Sequence, residues 1–91
     1  MKTEEIAEGV YLIGGPNVTR PEDAAVYLVD FGDELVMIDS GAGNSSSQLD
    51  RNIEMLGLKP SKLTQIILTH CHIDHIGSAT YFRKKYKSEI I

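Results

Sequence analysis

A single cysteine cannot close an internal disulfide, so the chain does without covalent cross-links and suits a reducing compartment. No apolar run approaches the roughly 20 residues of a membrane-spanning helix. The opening Met1-Lys2-Thr3-Glu4-Glu5 leads into no signal-peptide core, so a cytoplasmic chain without a membrane partner is expected. Basic charge is also scarce: nine lysines and arginines stand against thirteen acidic residues, for a net charge of −4. No basic stripe is present to follow a phosphate backbone, which excludes nucleic acid as a partner. Gly41-x-Gly43 has neither a third glycine nor a lysine after it, so it reads as turn chemistry and not as a nucleotide cradle. Ninety-one residues allow one small domain with a modest core.

What the chain does have is concentrated. All three histidines, one aspartate and the cysteine fall within the six positions His70-Cys71-His72-Ile73-Asp74-His75. The apolar, β-branched run Gln65-Ile66-Ile67-Leu68-Thr69 before them reads as a short buried strand, so the cluster sits where a strand ends. On extended backbone, residues two apart point the same way, and His70 and His72 converge on one ion while Cys71 faces the opposite side as an inert thiol. Asp74 opens a helical pattern, which swings Asp74 and His75 toward a neighbouring position. Two adjacent metal subsites follow. Packing alone has no use for three imidazoles and a carboxylate at the end of an apolar strand.

The run His70-x-His72-x-Asp74-His75 after a strand ending in Leu-Thr resembles the metal-binding signature of the metallo-β-lactamase-fold hydrolases. Gly9-Val10-Tyr11-Leu12-Ile13-Gly14-Gly15 and Val36-Met37-Ile38-Asp39-Ser40-Gly41 fall in that family's order too, and the nearest likeness is to its hydroxyacylglutathione hydrolase (glyoxalase II-like) branch. The resemblance implies that His70 and His72 hold a first metal, that Asp74 and His75 hold a second, and that hydroxide between them attacks the substrate. It implies that Asp74 also takes part catalytically through proton transfer. Asp39 falls where the family places an aspartate that supports the ligands without binding the ion. The cofactors implied are two divalent ions, zinc in the first place, with iron or manganese compatible with the same donors.

The same resemblance implies a small-molecule substrate carrying an ester, thioester, lactone or amide bond. Two other readings share these residues: iron-dependent redox chemistry, as in a sulfur dioxygenase, and a non-catalytic metal-binding half. The fold implied is α+β: residues 1–91 are the N-terminal half of an αββα sandwich, a mostly antiparallel sheet with two helices. The motif supplies four ligands where a two-metal site takes about six, or fewer if one carboxylate bridges. The chain is therefore expected to be one half of the fold and inactive alone, its remaining ligands coming from beyond Ile91. An uncovered sheet face predicts self-association, in the ordered case a homodimer that pairs two halves.

The other elements follow from pattern. Residues 3–9 lead in as a turn or an edge, Val10–Ile13 is a strand, and residues 18–23 form a polar loop in which Pro21 opposes sheet pairing. Residues 24–29 and 35–38 are apolar runs around a tight connection and predict a hairpin. Leu49, Ile53 and Leu56 recur on one helical face after the capping serines 45–47, and Gly57 ends that helix. Residues 78–86 form a second helix whose basic end, Arg83, Lys84, Lys85 and Lys87, is solvated and favours the helix dipole. Residues 88–91 begin a further strand.

Overall fold

The computed structural model describes residues 4–16, 18–21, 23–41, 43–69 and 77–91. Six strands form one sheet in sequential order: β1 (Glu4–Ala7), β2 (Val10–Gly14), β3 (Val26–Asp30), β4 (Leu35–Ile38), β5 (Leu63–Ile67) and β6 (Glu89–Ile90). The first four pair antiparallel, whereas β4–β5 and β5–β6 pair parallel. Antiparallel neighbours need only short turns; each parallel step needs a crossover, supplied here by helix α1 (Ser46–Met55) and helix α2 (Ala79–Tyr86). The sheet is thus mostly antiparallel with two helices, the α+β arrangement expected for the N-terminal part of the αββα sandwich.

Both helices lie on one face. Leu49 and Ile53 of α1 and Ala79 and Phe82 of α2 share a buried cluster with Ile13, Val26, Leu28, Met37 and Ile66 of the sheet. Cross-strand register explains this, because Tyr11, Leu28, Met37 and Ile66 are direct neighbours on successive strands. The alternate row, Leu12, Tyr27, Ile38 and Ile67, is likewise in register and faces the other way, away from the helices. Gly14 permits the closest approach of α1, since a Cβ there would lie 2.8 Å from Leu49 Cδ2 and 3.0 Å from Val26 Cβ. Asn52 locks the contact by donating from Nδ2 to the Ile13 carbonyl at 2.8 Å.

Local chemistry refines several expectations. Residues 4–7 form an edge strand that hydrogen-bonds to β2. The strand leading to the histidines begins and ends two residues earlier than its composition implies, at Leu63 and Ile67. A 3₁₀ turn, Pro60–Lys62, feeds its start; past its end the Leu68 amide still donates to the Ile91 carbonyl at 3.1 Å, and Thr69 turns to Asp39. Ser45 occupies the N-cap of α1 without capping it, because its hydroxyl donates to Asp23 instead. The basic end of α2 is not wholly solvated, since Lys85 Nζ lies 2.7 Å from the nearly buried Asp50 carboxylate.

Candidate metal centre

The carboxyl ends of parallel strands are where open α/β sheets gather their ligands, and here the ends of β4 and β5 lie side by side. Asp39 follows β4 directly. Its amide donates to the Ile67 carbonyl at 2.8 Å, so the two strand ends are stitched together. Its φ of 66° places it in the left-handed region, which aspartate tolerates better than most residues. The residue is 5% exposed. Oδ1 accepts from the Thr69 amide at 2.9 Å, and Oδ2 accepts from the Thr69 hydroxyl at 2.7 Å. Asp39 therefore grips the residue immediately before His70.

The chain is gripped again on its return. The Gly77 amide donates to the Gly41 carbonyl, and the Ser46 hydroxyl donates to Ser78 Oγ at 2.9 Å. Gly41 and Gly43 both have positive φ, +74° and +103°. At Gly41 an added Cβ would sit 2.9 Å from Asp23 Oδ1, and at Gly43 it would sit 3.2 Å from the Gly77 carbonyl oxygen. The turn after β4 thus lies against both ends of the segment between Thr69 and Gly77.

Gly43→Ala is expected to cost about 2 kcal/mol, from left-handed backbone strain plus displacement of Gly77. Gly32→Ala, with φ +91° and nothing within 4 Å, meets only the strain. Urea midpoints should rank the Gly43 variant below the Gly32 variant. Equal midpoints would show that the turn does not press on Gly77.

Asp23 is the residue that sequence reasoning missed. It lies in a stretch read as polar loop, yet it is 2% exposed, and its Oδ2 accepts from the hydroxyls of Thr19 and Ser45. The β2–β3 loop, the turn after β4 and the start of α1 all meet at this carboxylate. Asp50 is a second such case. Its carboxylate accepts from Tyr81 Oη at 2.9 Å, Tyr86 Oη at 2.7 Å and Lys85 Nζ at 2.7 Å, tying α1 to α2. Burial pushes its pKa up, but the hydrogen bonds from Lys85, Tyr86 and Tyr81 outweigh it and hold the carboxyl below its ordinary range. Burial and the bond to Asp50 push Tyr86 up to about 12.

The expected ligands His70, His72, Asp74 and His75, and Cys71 with them, lie outside the described residues. Among the described residues, no group of three or more His, Cys, Asp or Glu is placed to hold a metal. Of the site residues read from sequence, Asp39 alone falls among the described ones.

A model of the metallo-beta-lactamase superfamily matches residues 19–91. The chain belongs to the metallo-β-lactamase superfamily. Within it, the chain is similar to the metallo-beta-lactamase fold-containing protein ST1585 of Sulfurisphaera tokodaii, with 38% identity over 84 residues that make up 91% of this chain and 29% of that protein. It is also similar to the probable metallo-hydrolase YqjP of Bacillus subtilis, at 35% identity over 82% of this chain and 24% of that protein. Among solved structures, the class B3 di-zinc metallo-beta-lactamase LRA-12 from an Alaskan soil metagenome matches with a TM-score of 0.87 and 26% identity, over 99% of this chain and 32% of that one. The chain thus spans about a third or less of the length of these superfamily relatives. No described helix is long and apolar enough to cross a membrane.

Proposed function

We propose that this chain carries the first metal-binding segment of a metal-dependent hydrolase that cleaves an ester, thioester, lactone or amide bond in a small molecule. One observation supports this most: the two residues that flank the run holding every histidine of the chain are fixed near the joined ends of β4 and β5, Thr69 by Asp39 and Gly77 by Gly41. The donor set of three imidazoles and a carboxylate fits zinc, and fits iron or manganese as well. His70 and His72 are assigned to one ion, Asp74 and His75 to a second.

The chemistry that such ions supply when bound is polarisation of a carbonyl and acidification of a water toward neutral pH. Asp39 orients the segment through Thr69 without binding an ion. Asp74 is assigned the proton exchange at its carboxylate. The 91 residues by themselves are proposed to bind metal without turnover, and the sheet face opposite α1 and α2, around Leu12, Tyr27, Ile38 and Ile67, is the surface through which two copies would pair.

The test is turnover of a panel of ester, thioester, lactone and amide substrates by zinc-loaded protein spanning the length of its relatives. Asp74→Asn is expected to lower the rate by about 10²–10⁴, the usual worth of a positioned proton-transfer group. An unchanged rate in that variant, or oxygen consumption by iron-loaded protein in place of hydrolysis, would overturn the assignment.

A further inference from the structure

Beside the Asp23 junction the surface opens into a cleft of about 370 Å³, between the β2–β3 loop and the first turns of α1. That volume is within the range of small-molecule sites, about 300–1,000 Å³. Its walls include Thr19, Arg20, Asn44, Ser47, Gln48 and Arg51, and among the described residues no acidic one lines it. In a chain with thirteen acidic residues against nine basic ones, two guanidiniums sharing a cleft with no carboxylate among its described walls are out of keeping with the surroundings.

Asp23 and Asp50, the described acids nearest in sequence, are engaged elsewhere. Asp23 accepts from Thr19 and Ser45 and lies against Gly41, and Asp50 is engaged by three donors of α2. Among the described residues, the ion pair formed is that between Lys85 and Asp50, so neither arginine has a carboxylate partner there. Arg20 is anchored all the same: its Nε donates to the Asn44 carbonyl at 3.1 Å. A guanidinium carries five N–H donors, so that bond leaves the terminal ones for a ligand. Arg51 stands three and four residues after Gln48 and Ser47, on the same stretch of helix surface.

We propose that this cleft binds a small oxyanion, the phosphate or carboxylate group of a small molecule, between Arg20 and Arg51. Planar guanidiniums match such groups with paired, charge-assisted hydrogen bonds, and Gln48 and Ser47 add neutral donors. A bound anion also relieves the repulsion between two cations held in one cleft. The inference is independent of the metal centre.

The test is an amide NMR titration of the chain with inorganic phosphate and, separately, with succinate, at ionic strength held constant with chloride. Saturable shifts at Asn44, Ser47, Gln48 and Arg51 are expected, with a Kd of about 1 mM or below, as suits two exposed charge-assisted pairs. Arg20→Gln and Arg51→Gln should each weaken binding about tenfold, and the double variant should abolish it, while Arg51→Lys keeps part of it. Lys62→Gln, at a distant turn, should leave it unchanged. Tighter binding of phosphate than of succinate assigns a phosphate-bearing ligand, and the reverse assigns a carboxylate. Shifts that do not saturate, or full affinity in the double variant, would overturn the proposal.

Discussion

Asp39→Ala is expected to unsettle the fold and the proposed metal segment together. The variant loses the acceptor of two bonds from Thr69 and places alanine at a φ of 66°. A hydrogen bond to a charged group is worth about 1.5–3 kcal/mol and left-handed backbone about 1–2 kcal/mol for a residue with a Cβ, so the loss should reach about 3 kcal/mol. That is a large part of the stability of a small domain, roughly 5–15 kcal/mol. Asp39→Asn tolerates the backbone and keeps one acceptor, and should cost about 1 kcal/mol. Zinc affinity should fall about 10–100-fold in the alanine variant, the usual effect of removing a group that orients ligands. Urea denaturation and zinc titration of the two variants separate backbone strain from lost orientation.

Asp50→Ala is expected to loosen the two helices from each other. It removes the common acceptor of Tyr81, Tyr86 and Lys85 and strands two phenol hydroxyls. Breaking a buried pair costs about 3–5 kcal/mol, but the Lys85 side chain is 51% exposed, so screening reduces the expected loss to about 2 kcal/mol. The pH dependence has a definite sign. The Asp50 carboxyl is held below its unfolded value of about 3.9, so its contribution is present above that pH and is lost as pH falls through the lower folded value. Lys85 is raised, chiefly by its bond to Asp50, and Tyr86 is raised to about 12. Their contributions are complete below about pH 10 and disappear as pH rises through the folded values. Asp50→Asn should flatten both limbs in urea midpoints measured against pH. A variant with unchanged acid and alkaline limbs would show that the cluster is not coupled to folding.

The parts of the fold that repeat locally were legible in the sequence. Leu49, Ile53 and Leu56 mark one face of α1, the apolar runs flanking Phe31-Gly32-Asp33-Glu34 mark the β3–β4 hairpin, and Gly57 marks the end of α1. The parts that depend on distant partners were not. Asp23 and Asp50 read as ordinary polar residues, because only the folded chain brings Ser45 to one and Tyr81, Lys85 and Tyr86 to the other. Ser45 has the right identity for a cap and is diverted by Asp23. Leu68-Thr69 has strand composition, yet Asp39 claims Thr69 and draws it off the ladder. A supporting role for Asp39 is legible only from family order. Its grip on Thr69, thirty residues away, is a property of the parallel pairing of β4 and β5.

Residues 70–75 are proposed to bind metal, with Asp39 positioning them through Thr69. Zinc titration of the wild-type chain beside Asp39→Ala tests this most directly. Saturable binding by the wild type is expected, with added stability of about 2.7 kcal/mol at a hundredfold excess over Kd, and binding about 10–100-fold weaker in the variant. A wild-type chain that takes up no zinc would rule out a metal site at residues 70–75, and a variant that binds it equally well would rule out a positioning role for Asp39.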